Sequence, residues 1–362
     1  MWRRSLSLLI CLILGIALLS LPAYAWTPED AETDFFEALP PLVRDEFPSE
    51  DFPTADAFGI DYYLTYILRL ATGEGNDFFS TLFSILFIVL VSALATRLSG
   101  KSAPAVELLL TAVTAMLLYG LSSEVFYAVG SYLSDTAAFG EALLPVFTAL
   151  YAAGGNAAAA VSSGASLTLF LSALTVLSDR FLFPLIRILF VFSLVGEIKG
   201  GVDLSGFSAT LRKTYTTVLS FTGVLFSFVM SAQGLLSASA DNLTARSAKF
   251  AVQQMIPIVG GTVSGALGTV AASVSYFRTA IGGTAVVAIL ILTLPVLLRV
   301  FLSRLAFSIG RSAARLVGAN AAERVLSDFC GIYDMLLASV TLAAVAFILI
   351  SAAFAKCAAA VG

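Results

Sequence analysis

Three stretches of this sequence hold residue types whose spacing could do work in a membrane. Arg187 is the one charge inside the otherwise apolar run 181–196, about 9 Å along a helix from the start of that run at 1.5 Å per residue. A cation inside a bilayer is costly unless it snorkels to the headgroups, faces a cavity or pairs with an acid, so it flags a transport path; Asp179 and Glu197 are the acids in reach. The second stretch, MIPIVGGTVSGALG at 255–268, sets Pro257, Gly260, Gly261, Gly265 and Gly268 in an uncharged background. Proline and the glycine pair loosen the backbone, which lipid tolerates only where protein or a wet cavity satisfies it. Gly261-x-x-x-Gly265 with Gly268 also makes a small-residue face that lets another helix approach closely. Ordinary helix packing, a re-entrant conduit-lining element and a loop all fit this segment. In the third stretch, FLSRLAFSIGRSAARLVG at 301–318, Arg304, Arg311 and Arg315 fall within about 40° of one another at helical spacing, opposite Leu302, Leu305, Ile309, Ala313 and Leu316. A basic amphipathic helix of this kind attaches to anionic lipid headgroups or to a cytoplasmic partner. Asn320 and Glu323 then read as a capping pair for a second short helix toward Cys330.

Other chemistry is excluded by what the chain lacks. It contains no histidine, which removes imidazole metal ligands, Ser-His-Asp and Cys-His nucleophile systems and histidine proton relays. It shows no nucleotide-binding loop and no iron, zinc or flavin signature. The reading is no catalytic residue, no cofactor, no metal and no nucleic-acid partner. Three cysteines, one of them in the first 25 residues, give no disulfide framework.

These pieces need a membrane-embedded scaffold. Of 362 residues, 59% are hydrophobic and 12% charged, against roughly a quarter charged in soluble domains. Residues 1–25 have the form of a cleavable signal peptide, with Arg3 and Arg4, an apolar stretch and Ala23-Tyr24-Ala25 before Trp26. Residues 26–77 form an acidic segment, with thirteen Asp or Glu against Arg44 and Arg69. It stays outside the cytoplasm, either solvated or docked through aromatics such as Phe35, Phe36, Phe47, Tyr62 and Tyr63.

Residues 78–362 read as an all-α polytopic membrane domain. A span needs about 20 apolar residues, and the runs are 78–96, 108–123, 142–178, 181–196, 214–240, 250–277, 279–298 and 335–355. Residues 202–215, VDLSGFSATLRKTY, form an interfacial entry with Arg212 and Lys213 at its end. Lys and Arg placement puts Arg97 inside and Glu124, Asp135 and Glu141 outside. Two topologies remain: either 142–178 crosses twice and 250–277 is re-entrant, or each crosses once. Both give about eight transmembrane helices and a cytoplasmic loop holding Arg299, Arg304, Arg311, Arg315 and Arg324.

VDLSGFSATLRKTY, TARSAKFAVQQMIPIVGGTVSGALGTV and the late LxRxxFS…SDF region resemble the stage III sporulation protein AE family of endospore-forming bacteria. The similarity runs over residues 75–355. It implies a non-enzymatic component of the channel, or feeding tube, between mother cell and forespore that supports late forespore gene expression. The implied location is the mother-cell membrane around the forespore. The implied partners are other stage III sporulation membrane proteins, a cytoplasmic secretion-type ATPase and a forespore membrane protein across the intermembrane space, with anionic lipid at the basic helix. A permease-like subunit for a small solute is the alternative.

Overall fold

The computed structural model describes residues 28–46, 60–98, 103–153, 176–195, 206–224 and 260–356, with isolated positions between 165 and 173 and residue 226. The signal-peptide stretch 1–25 and Pro257 lie outside the described residues. Helices make up the described regions, and no strand occurs among them. In chain order they are α1 (Pro28–Ala38), α2 (Pro41–Arg44), α3 (Ile60–Leu98) and α4 (Ala103–Ala153). A π-helical turn (Leu177–Leu182) leads into α5 (Phe183–Val195), and residues 206–224 form α6. The last two are α7 (Gly260–Val317) and α8 (Asn320–Lys356).

The helices are longer than the apolar runs predict. Helix α4 has 51 residues and α7 has 58, or about 76 Å and 87 Å at 1.5 Å per residue. Helix α4 therefore carries 108–123 and the beginning of 142–178 on one rod, and the acids expected in an external loop, Glu124, Asp135 and Glu141, lie on its continuous helical surface. Likewise α7 joins the end of 250–277, all of 279–298 and the arginine stretch without a turn. Four helices among the described residues are long and apolar enough to cross a membrane: Leu64–Leu98, Leu108–Leu150, Ile281–Val317 and Asn320–Ala352.

A single tight turn joins α7 to α8. Gly318 has φ +75, its N–H donates to the Arg315 carbonyl at 3.3 Å, and the Ala319 N–H donates to Ala314 at 2.9 Å. This pairing satisfies the last carbonyls of α7 and needs a left-handed residue, which glycine adopts without a Cβ clash. Glu323 does not cap Asn320; its backbone N–H donates to Ala319 at 2.9 Å and its Oε1 accepts Arg315 Nε and Nη2 at 3.0 and 2.7 Å. The short helix expected toward Cys330 continues instead to Lys356.

Specific contacts fix the register of the bundle. Tyr66 meets Ile291, Glu74 meets Arg299 and Ile85 packs on Gly310, so α3 and α7 run parallel. Ser122 meets Tyr333, Phe139 stacks on Phe347 and Phe147 on Phe354, so α4 and α8 also run parallel, antiparallel to the first pair. The core between them is largely apolar, with Ile85, Leu118, Val129, Leu143, Ile289, Phe307, Leu336 and Val340 among its buried residues. Helix α1 docks on this bundle through buried Phe35, whose ring meets Phe139 edge-on at 6.5 Å. Arg44 of α2 returns to the Glu37 and Leu39 carbonyls at 2.9 and 3.3 Å.

Pro295 inside α7 shows how a breakable sequence is accommodated. Lacking an N–H, it leaves the carbonyl of Ile291 without its helical donor. The buried Tyr66 hydroxyl of α3 donates to that oxygen at 3.3 Å.

Candidate functional site

The polar side chains that the helices bring together form ties between helices. Arg299 of α7 reaches Glu124 of α4 at 2.9 Å and Glu74 of α3 at 3.8 Å, joining three helices at one level. Arg304, one turn and a residue further on, pairs with Asp334 of α8. From α6, Arg212 donates to the Asp328 carboxylate at 3.0 Å and to its backbone carbonyl at 3.2 Å. Gly331 clears the path for that side chain, since a Cβ there would lie 2.6 Å from Arg212 Cδ. Arg311 also enters the bundle, and its Nε is buried with no hydrogen-bond partner among the described residues.

Four tyrosines add a second kind of tie. Besides Tyr66, Tyr132 of α4 meets Thr293 of α7 at 3.0 Å. Thr293 already donates to Ile289, so the tyrosine is the donor. By the same logic Tyr215 of α6 donates to Ser339 at 2.8 Å, because Ser339 donates to Met335. Tyr333 of α8 donates to Ser122 of α4 at 3.1 Å. Buried hydroxyls without a partner cost free energy, so these pairs favour one register over its neighbours.

The arginine stretch is oriented in reverse of the amphipathic expectation. Phe301, Leu305, Ile309 and Leu316 are exposed, while Ala306, Phe307, Gly310 and Ala314 are buried. Arg304 and Arg311 lie on the packed side, and Arg304 and Arg315 are engaged by Asp334 and Glu323 of α8. These two guanidinium groups are therefore committed to intramolecular pairs, where the sequence suggested headgroups or a partner. Gly260, Gly261, Gly265 and Gly268 occupy the first turns of α7 as continuous helix. Arg187 is exposed on α5, beside exposed Ile188 and Val191, and makes no ion pair among the described residues. The side chains of Asp179 and Glu197, expected as its partners, lie outside the described set.

Sequence reasoning missed Glu74, Glu124, Asp328, Asp334 and the four tyrosines as inter-helix contacts. Glu74, Glu124, Tyr215, Tyr333 and Asp334 stand in or beside an apolar run, which was the available signal, but the partner of each is far away in the chain. Thr293, for example, is 161 residues from Tyr132.

The model of the family described as stage III sporulation protein AE matches residues 53–358. The chain belongs to the stage III sporulation protein AE family. Stage III sporulation protein AE of Bacillus subtilis (strain 168) is 24% identical over 219 residues, which cover 59% of this chain and 53% of that relative. The chain thus spans about half the length of that curated relative. No solved structure matches. Every inter-helix ion pair and tyrosine tie described above, from Tyr66 to Ser339, falls inside the stretch shared with the AE family.

Proposed function

We propose that this chain is a non-enzymatic membrane component of the channel or feeding-tube complex that links mother cell and forespore and supports late forespore gene expression. The observation that carries the reading is the family match over residues 53–358. The geometry supports it, because most of the inward polar groups described here are engaged in holding helices to one another, as suits a scaffold subunit. In this reading the chain sits in the mother-cell membrane around the forespore. The acidic end, where α1 docks and α3 begins, faces the intermembrane space, and the Gly318 turn faces the mother-cell cytoplasm. Other stage III sporulation membrane proteins, a cytoplasmic secretion-type ATPase and a forespore membrane protein are its partners, and anionic lipid meets Arg97 and Arg324 near the cytoplasmic end.

A strain lacking this gene is expected to complete engulfment and then fail to express late forespore genes, with heat-resistant spores reduced by several orders of magnitude. A fluorescent reporter under a late forespore promoter, with the gene restored in trans as control, checks this. Normal reporter expression and spore yield in the deletion strain would overturn the proposal.

A further inference from the structure

We propose that the outer face of α5 is an interface with a second copy of this chain, in which Arg187 of one copy meets Glu124 of the next and Arg180 meets Asp135. The proposal rests on the membrane setting and on nothing specific to sporulation. It starts from an uneven division of charge between helices. Helix α4 carries Glu107, Glu124, Asp135 and Glu141 and no Lys or Arg. On the other flank α5 carries Arg187, the π-helical turn before it Asp179 and Arg180, and α6 Arg212 and Lys213. Arg212 is held by Asp328, whereas Arg180 and Arg187 are exposed and make no ion pair among the described residues.

Leu182, Ile186 and Leu189 are the buried side of this segment. Its outer side sets Arg180 and Arg187 among exposed Phe181, Ile188 and Val191. A guanidinium on such a face is costly against acyl chains and favourable against a carboxylate. The acids of the same chain's α4 do not provide one, because they turn away from α5. Phe183 packs on Gly130 and Leu171 on Gly140, so α5 lies along the Gly130 and Gly140 side of α4. At 100° per residue Glu124 and Asp135 project from the opposite side of that helix, and both are exposed there.

Copies in one bilayer share an orientation, so equal levels face each other. The same two glycine contacts make α5 antiparallel to α4, with position 183 level with 130. Arg187 is then level with about position 126 of α4 and Arg180 with about 133. Each lies about two residues, or about 3 Å along the axis, from Glu124 and Asp135, within the reach of the side chains. Between the two acids the same face of α4 carries Ala128 and Ser131, which let a neighbouring helix come close. Glu124 accepts Arg299 through Oε2 and its side chain is still 78% exposed; Asp135 accepts the Ser131 hydroxyl at 3.1 Å. Glu74 also shares Arg299, so this flank keeps an excess of acid that draws a basic face toward it. Because the two patches differ, the contact runs head to tail, the arrangement that builds rings.

A charge swap between two tagged copies tests the interface. Full-length chains with different affinity tags are expressed together in a bacterial host that does not form spores, and one tag is used to isolate the other from mild detergent. The parent copies are expected to come out together. Arg180→Glu in both copies should lower the yield of the second tag at least tenfold, and so should Asp135→Arg in both, because each sets like charges face to face. Arg180→Lys should keep the parental yield. One copy with Arg180→Glu and one with Asp135→Arg should regain it, which also shows that both variants are folded. Parent copies that do not associate, or that associate only when another sporulation membrane protein is supplied, would overturn the inference. Reversals without effect, or a mixed pair that stays apart, would overturn it equally, and none of these results depends on whether a strain lacking the gene sporulates.

Discussion

Gly310→Leu should yield a chain that enters the membrane but does not hold α3 against α7, with an unfolding midpoint far below that of the parent. A Cβ at position 310 would lie 2.2 Å from Ile85 Cγ2 and 3.5 Å from Ile85 Cβ. Ile85 is fully buried and β-branched, so its Cγ2 has no free rotamer to retreat into. The helices must therefore separate. Even Gly310→Ala should cost about 1–3 kcal/mol, the usual penalty of overpacking, and the leucine adds a whole side chain to the same gap. The companion change Ile85→Ala alone should cost about 2–5 kcal/mol through the cavity it leaves. Combined with Gly310→Ala it should cost clearly less than the sum, because each change relieves the other. Thermal unfolding of the four proteins in one detergent reads the coupling, and strict additivity would contradict the close contact.

Loss of Arg212 should have the next largest effect. Its guanidinium holds both the carboxylate and the backbone carbonyl of Asp328, and only about a fifth to a quarter of either side chain is exposed (21% and 27%). Arg212→Ala leaves Asp328 charged and unpaired between helices, at a cost of about 3 kcal/mol, the low end for breaking a buried pair because some solvent reaches it. Arg212→Lys should recover only part of this, since an ammonium on a flexible stem does not reproduce the guanidinium fork. Removing both charges with Arg212→Met and Asp328→Leu should be milder than Arg212→Ala. Gly331→Ala should behave like a weakened Arg212 variant, because its methyl group would occupy the space of Arg212 Cδ. Detergent melting temperatures across this set check the order, and a double variant as unstable as Arg212→Ala would contradict the pairing.

The all-helical class, the membrane setting and the family were legible from composition and from motifs between residues 200 and 335. Span boundaries were not, and the reason is physical. Charge in a sequence marks a loop only where it has no partner, and Arg299, Arg304 and Arg315 each have a carboxylate on another helix, so α7 runs through them unbroken. Apolar length does not separate lipid contact from helix packing, and Ile289, Ile291 and Phe347 are buried under other helices. Helical periodicity showed that Arg304, Arg311 and Arg315 share a face, but a projection has no inside or outside. Asp334 and Glu323 decide that the face turns toward α8, and their partnership depends on the tight turn at Gly318. In the same way Pro295 looks like an ordinary member of an apolar run, and Tyr66 like one of the aromatics of the acidic segment, until the freed Ile291 carbonyl brings them together.

Assembly is what the proposed role depends on, and it can be measured by isolating the affinity-tagged chain from membranes of cells that have just completed engulfment, after mild cross-linking, and identifying what accompanies it. The expected result is a defined set comprising the other stage III sporulation membrane proteins, the cytoplasmic ATPase and a forespore membrane protein, lost together when Gly310→Leu disrupts the bundle. Recovery of the chain alone from those membranes, in cells that sporulate normally, would contradict it.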